Sequence, residues 1–289
     1  MYEITDLRAE NRSFFEDYIG ADMTENIGRP FYRGVILSGE GNEPVAGMIW
    51  EIIGMGVPGK KRESEIRWVR VDKEDAFADM MDSYKDWIDE DEVSTSSIVV
   101  PAKDSKELRK LFQDAGFQMS LSESDRITVS LSELSEVELM KKLKEKPLPK
   151  SVKPLSEVRL KYLREAVNTC IRSDKMGICR DLANIPVRWF EPEVSCASHN
   201  GDEINGMFLF HRKPSGLLEA QILVCFDKNP QAVLPLLMRK FLDAMEENYD
   251  EDTLVAFDRH NMQTLLLAEK LLPNMIGLPV YAGSREEKG

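Results

Sequence analysis

Cysteine and histidine are scarce in this chain of 289 residues, with four of the first and three of the second. Cys170, Cys179, Cys196 and Cys225 form no CxxC pair and no zinc-ligand spacing, and His199, His211 and His260 include no HExxH. That pattern argues against a disulfide scaffold and a histidine-built metal site, so no metal is expected and the thiols read as reduced and packed. Long hydrophobic runs are also missing. Stretches such as Leu234 to Met238 fall far short of the roughly 18–20 apolar residues that span a bilayer. The opening Met-Tyr-Glu-Ile-Thr-Asp has no basic or apolar leader character, so a cytoplasmic location is expected. Positive charge is in deficit, at 38 Lys and Arg against 51 Asp and Glu, which argues against nucleic acid and anionic membrane surfaces as partners. No GxSxG elbow accompanies the Ser94 to Ser97 cluster, so nucleophilic hydrolysis finds no support.

What is present is enough apolar sequence, 42% of the residues, to build a real core. The length fits two domains at about 150 residues each. Charge is uneven along the chain. Residues 63–92 hold twelve acids and four bases, and residues 140–164 hold nine bases and two acids. Both stretches read as solvated helix or linker faces. Trp50 and Trp68 lie on adjacent expected strands and read as core. Trp189 follows a proline break and is placed to line a groove.

The chain is written twice. Pro44-Val-Ala-Gly-Met-Ile-Trp-Glu51 and Glu203-Ile-Asn-Gly-Met-Phe-Leu-Phe210 are both strand-like, and both follow a turn cluster. A further strand follows in each half, Glu65 to Val71 and Leu217 to Phe226. Each strand ends in Asp-Lys, at Asp72-Lys73 and Asp227-Lys228. Helices are expected over 74–88 and 230–248, the second with Pro230 at its first position. Strands Ser96 to Val100 and Thr253 to Phe257 come next, then helices over 104–115 and 261–272, with Asp104 as N-cap and Gly116 as the stop. Upstream, helical pattern opens each half, over 7–19 and 156–171. Corresponding points lie 155 to 159 residues apart (Asp72 to Asp227, Gly47 to Gly206). Pro147, Pro149 and Pro154 break the chain between the halves. The expected division is therefore a domain at 1–140, a basic linker at 141–154 and a domain at 155–289. Each half reads as an α+β unit with a mixed, mostly antiparallel sheet flanked by helices.

This order, together with Ser105-Lys-Glu-Leu-Arg-Lys-Leu-Phe-Gln-Asp-Ala-Gly-Phe117, resembles the GCN5-related N-acetyltransferase family in two tandem copies. The resemblance implies acetyl-CoA as cofactor. Its pyrophosphate would be held at a Gln/Arg-x-x-Gly-x-Gly/Ala turn after the fourth strand, where backbone amides open a helix. The corresponding slots read Lys73-Glu-Asp-Ala-Phe-Ala78 and Lys228-Asn-Pro-Gln-Ala-Val233. The implied cofactor contacts are Val69, Val71, Lys73, Ala76 and Ala78 in the first copy. In the second they are Val224, Phe226, Lys228, Asn229 and Gln231. Both turns lack the glycines. Glu74 and Asp75 place carboxylates at the first turn, and Pro230 removes an amide from the second.

The family's thiolate-protonating tyrosine falls on Phe112 and near Ala268, neither of which donates a proton. Glu65 and Glu219 are the implied general bases, although a glutamate at a strand end is ordinarily solvated. The resemblance implies acyl transfer to an amine, a small molecule or peptide and cationic if the net acidity matters. The two domains would pair as a pseudo-dimer. The competing reading is a catalytically degenerate module that binds a ligand or protein. An open cleft, as against one filled by Phe77 or Val233, distinguishes the two.

Overall fold

A computed structural model describes residues 2–55, 61–103, 105–145, 147–173, 185–258 and 277–287. The chain forms two compact units, one of Met1–Ser124 with Leu278–Gly289 and one of Asp125–Gly277.

The first unit runs β1 (Glu3–Asp6), α1 (Glu16–Ile19), α2 (Ala21–Thr24), β2 (Tyr32–Ser38), β3 (Pro44–Ile53) and β4 (Arg62–Val71). It continues with α3 (Ala76–Glu90), β5 (Val93–Pro101), α4 (Lys106–Asp114) and β6 (Gln118–Glu123), and closes with β13 (Pro279–Glu286) from the far end of the chain. The seven strands lie in the order β1-β2-β3-β4-β5-β13-β6. Only β4 and β5 are parallel. One face of the sheet carries α3 and α4, with Met48, Trp50, Ile66, Met80, Tyr84 and Phe112 in the core between. The other face packs Ile36 and Ile49 against Leu7, Ile19 and Ile27, with Trp68 alongside. Gly116, at φ +90°, ends α4 in the left-handed region. The Phe117 N–H then reaches back to the Phe112 carbonyl at 2.9 Å, the wrap a helix-terminating glycine permits.

The second unit runs β7 (Arg126–Ser130), α5 (Leu131–Ser135), α6 (Glu138–Lys144), β8 (Val152–Pro154), α7 (Leu160–Arg172), β9 (Cys196–Asn200), β10 (Glu203–Arg212), β11 (Leu218–Cys225), α8 (Pro230–Asn248) and β12 (Leu254–Asp258). Strand order is β7-β12-β11-β10-β9-β8, and only β11 and β12 are parallel. The α8 side holds Phe208, Phe210, Leu223, Met238, Phe241 and Met245. The α7 side holds Leu163, Cys170, Met207, Leu209, Ile222 and Val224. Ser130 caps α5 through a reciprocal capping box with Glu133.

The repeated strands, α3, α7 and α8 lie where the pattern places them, and α8 matches residue for residue. Three features differ. The helix expected over 7–19 is reduced to a 3-10 turn at Arg12–Phe15 and the four-residue α1, which stops at Gly20, whose φ is +93°. The units also exchange their ends relative to the halves of the sequence. β13 inserts between β5 and β6 in the first unit, and β7 pairs with β12 in the second. The contact boundary thus falls between Ser124 and Asp125, and the basic 141–154 segment lies inside the second unit. Finally, α4 has Ser105 at its N-cap position. Asp104, Cys179, His260 and the helix expected over 261–272 lie outside the described residues.

Cys170, Cys196 and Cys225 are buried and carry no disulfide. No helix among the described residues is long and apolar enough to cross a membrane, and none of their side-chain groupings suits a metal ion.

Candidate functional site: two strand splits

Among the described residues, each unit contains one parallel strand pair that stops pairing partway along. In the first unit β4 and β5 pair from Arg62↔Val93 to Ile66↔Ile98, although β4 continues to Val71. On its other side, Trp50 faces Ile66 and Ile49 faces Trp68, so Arg67 is an extra residue in the ladder. In the second unit β11 and β12 pair only at Leu218↔Val255 and Glu219↔Ala256. Phe210 faces Ala220 and Leu209 faces Ile222, which makes Gln221 the extra residue. A bulge bends its strand and sharpens the local twist. Here it stands where β4 and β11 part from their parallel neighbours, leaving the backbone beyond it to meet something other than a strand.

A pair of titratable side chains sits at the base of each split. In the first unit Glu51 lies opposite Glu65. Glu51 is only 3% exposed and accepts a hydrogen bond from the Tyr32 hydroxyl at 3.2 Å. Glu65 accepts one from the Arg67 guanidinium at 2.6 Å. In the second unit His211 lies opposite Glu219, and both are buried. Arg126 Nη1 stands 3.0 Å from Glu219 Oε1, and Lys213 Nζ stands 3.5 Å from Oε2. Gln221 donates to that same Oε2 at 2.7 Å. His211 Nδ1 is 2.7 Å from the Trp189 carbonyl oxygen, and its ring stacks on the Trp189 indole at 3.6 Å with the planes 5° apart.

The two glutamates marked in the sequence therefore occupy equivalent places, and both are ion-paired. Glu219 is buried rather than solvated. Glu51 and His211 are the residues that sequence reasoning missed. The available signal was a charged or titratable side chain following Trp50 and Phe210, inside strands otherwise buried along most of their length.

The turn after the split differs between the units. In the first, the Asp72 and Lys73 N–H groups both donate to the Val45 carbonyl, and Ala76 and Phe77 donate to Lys73 and Glu74. Ala76 and Phe77 are buried, while Ala78 is exposed. Val69 and Val71 pack partly against the core. A cleft of about 420 Å³ lies between this turn and α4, lined by Val71, Asp72, Glu74, Glu107, Leu108, Lys110 and Leu111. Three carboxylates thus face one ammonium, and Lys73 is not part of the lining. The Lys73 ammonium lies by the β2–β3 turn, 3.7 Å from the place a Cβ on Gly39 would occupy. Phe77 does not fill this cleft, because it packs edge-on against Phe112, which in turn packs against Phe117. The tyrosine slot is thus a core aromatic, fully buried. A coenzyme A pyrophosphate does not fit a cleft of this charge.

In the second unit the Phe226 N–H donates to the Asn205 carbonyl. Asp227 accepts from the Asn229 N–H at 2.9 Å and from the Asn205 side-chain amide at 3.2 Å. These bonds, the first foremost, and a further one from the Lys228 N–H hold its carboxyl below its ordinary range. Lys228, Asn229 and Gln231 are exposed around the N-terminus of the 19-residue α8. Val224 and Val233 are buried, and Phe226 is partly buried. This turn offers a cation and a helix end with one carboxylate, Asp227, against the three that line the first cleft, so it fits an anionic phosphate better.

A scan against protein-family models matches none, and no curated protein matches either. Solved structures do match. A tandem GNAT protein from the clavulanic acid biosynthesis pathway superposes with a TM-score of 0.60 at 12% identity, covering 100% of this chain and 99% of its own. The glucosamine N-acetyltransferase region of a fungal multidomain β-N-acetylglucosaminidase gives 0.64 at 8% identity, covering 99% of this chain and 38% of its own. A probable N-acyltransferase from Enterococcus faecalis V583 gives 0.53 at 11% identity, covering 99% and 73%. The fold is that of a tandem GCN5-related N-acetyltransferase.

Proposed function

We propose that the chain is an acyl-CoA-dependent N-acyltransferase whose second unit carries the acyl-transfer site. The observation that supports it most is the buried His211–Glu219 pair at the base of the β11–β12 split, together with a following turn that holds one carboxylate, Asp227, where the first unit's cleft has three. Lys228, Asn229 and Gln231 would hold the pyrophosphate at the start of α8. The bound thioester supplies the activated acyl group. The acceptor is an amine, on a small molecule or a peptide. The first unit, with its acidic cleft, has lost cofactor binding.

A second reading, a binding module that does no chemistry, is favoured by the amide accounting in the second turn. Asp227 takes the Asn229 and Lys228 amides and Pro230 has none.

Isothermal titration with acetyl-CoA tests the choice. The acyltransferase reading expects micromolar binding that Lys228→Ala weakens about tenfold, on the order of one phosphate contact, and that Lys73→Ala leaves unchanged. Absence of heat at millimolar acetyl-CoA, from protein with intact circular dichroism, would establish the binding module instead.

A further inference from the structure

Independently of the acyl-transfer reading, we infer that the first unit carries a ligand site of its own, a cavity beside the edge strand β1 that takes a zwitterionic aromatic amino acid. The cavity measures about 470 Å³ and lies between the loop that follows β1, the loop that leads into β2 and the end of α3. That volume falls within the ~300–1,000 Å³ of small-molecule sites. The cavity shares no residue with the cleft beside α4. Its two loops are tied together. The Leu7 N–H donates to the Gly34 carbonyl at 2.8 Å. Asn11 closes the first loop on itself, accepting from the Arg8 N–H and donating to the Asp6 carbonyl, each at 2.8 Å. Gly28, at φ +94°, lets the second loop press on the first, since a Cβ there would stand 2.7 Å from that of Ala9. The walls are thus organised before a ligand arrives, which lowers the entropy cost of binding.

The lining decides the class of ligand. Trp87 and Tyr32 supply aromatic surface. Each already has a guanidinium over it, with Arg33 5.7 Å from the Trp87 ring centroid and Arg29 5.5 Å from that of Tyr32. Both guanidiniums are anchored. Arg33 stands 3.5 Å from Asp91 and donates to the Pro30 carbonyl at 2.8 Å, and Arg29 donates to the Asn26 side chain at 2.8 Å. The Trp87 indole N–H donates to Asp6 at 3.3 Å. The loop after β1 brings the two charges most open to a ligand, Arg8 and Glu10. The Arg8 side chain is 69% exposed, and its guanidinium stands 3.5 Å from Asp6, too far for a strong hydrogen bond. Glu10 lines the same cavity and is exposed. A loosely held guanidinium and a solvent-facing carboxylate on one loop suit a ligand that carries both a carboxylate and an ammonium. A simple anion would meet Asp6 and Glu10, and a simple cation would meet the three arginines. The aromatic walls take a ring.

The test is titration calorimetry of the full chain with L-tryptophan, and with indole-3-propionate, tryptamine and L-alanine as controls. The controls lack the ammonium, the carboxylate and the ring in turn. Tryptophan is expected to bind with a submillimolar Kd, and each control about tenfold more weakly, on the order of one charge-assisted contact or one ring. Arg8→Gln should weaken tryptophan about tenfold and leave tryptamine unchanged. Glu10→Gln should weaken tryptophan and leave indole-3-propionate unchanged. Both side chains face solvent, so the circular dichroism and urea midpoint of the variants should match the wild type. Lys228→Ala should leave tryptophan binding unchanged, which separates this site from the turn before α8. Tryptamine, indole-3-propionate or alanine binding as tightly as tryptophan overturns the assignment. So does the absence of saturable heat with tryptophan, or indifference to either the Arg8 or the Glu10 variant, whatever acetyl-CoA does in the same protein.

Discussion

Val233 occupies the space that a side chain on Gly206 would need. A Cβ at Gly206 would stand 2.7 Å from Val233 Cγ1 and 3.2 Å from Leu237 Cδ1. The first unit repeats the relationship on the other face of its sheet, where a Cβ on Gly47 would stand 2.5 Å from Ile36 Cδ1 and 3.0 Å from the Trp68 ring. The glycine of the repeated Gly-Met thus stands at a close approach in each sheet. Gly206→Ala is expected to destabilise the second unit by about 1–3 kcal/mol, the usual cost of overpacking. Val233→Ala in the same chain should recover most of that loss. Urea denaturation of the two variants measures it, and a double variant no more stable than Gly206→Ala would show that the clash lies elsewhere.

Tyr84 ties α3 to the parallel strands of the first unit. Its hydroxyl lies 2.9 Å from the Ser64 hydroxyl on β4 and 2.7 Å from that of Ser96 on β5, all three fully buried. Burial pushes the phenol up to about 12, against its two serine hydrogen bonds, which favour the ionised form. The folded value lies above the unfolded one near ~10. The resulting stability is complete below pH ~10 and is lost as pH rises toward 12. Denaturation at pH 8 and at pH 11.5 should show a larger fall for the wild type than for Tyr84→Phe. The variant itself should lose about 1–2 kcal/mol at pH 8, because two buried serines lose a partner. Equal falls in the two proteins would remove Tyr84 as the source.

Local pattern reached some of this architecture and not the rest. The strand pairs around Gly47 and Gly206, the Asp-Lys turns and α8 are written in contiguous residues, so periodicity and Pro230 locate them. The pairing partner of β13 is not local. Its seven-residue register with β5 joins residues from 179 apart, at Pro101 and Val280, to 191 apart, at Thr95 and Glu286, and no turn signal encodes it. For the same reason the exchange of ends between the units is invisible until both sheets are assembled. β1 is only four residues long, too short for alternation to outweigh the helical spacing that follows it. At the site, Glu65 and Glu219 were legible as strand glutamates. Their ion pairs were not, because Arg67 lies two residues away on the bulge and Arg126 lies on the distant β7. His211 gained meaning only from the register that sets it opposite Glu219.

The last strand is the most economical place to test the unit division. β13 pairs with β5 over Val280 to Glu286 and with β6 over Pro279 to Ser284. A chain ending at residue 277 leaves those two strands with no neighbour between them. The first unit should lose its cooperative transition, whereas the second, which contains none of β13, should keep its own. Three of the four tryptophans, Trp50, Trp68 and Trp87, belong to the first unit. Tryptophan emission in a Trp189→Phe background therefore reports that unit alone. A sharp unfolding transition in the truncated chain by this signal would show that β5 and β6 need no strand between them.

Asp227 accepts from the Asn229 N–H of the turn that opens α8. A carboxylate held by amide donors competes directly with an anionic ligand for them. Its lowered pKa has a consequence for pH. The stabilisation is present above the unfolded value near ~4 and is lost only as pH falls through the still lower folded one. Mild acid does not vacate the turn, so acetyl-CoA affinity should not rise between pH 7 and pH 5 through this group. Removing the carboxylate should do what acid cannot. Asp227→Ala frees two amides and deletes one negative charge, and should tighten acetyl-CoA binding on the order of threefold to tenfold. Asp227→Asn removes the charge but keeps an oxygen acceptor, and should gain less. Titration calorimetry on the pair separates charge from occupancy. If both variants gain equally, repulsion alone limits the site. If neither gains, the ligand does not use the amides of this turn, and the anion site must be sought away from the start of α8.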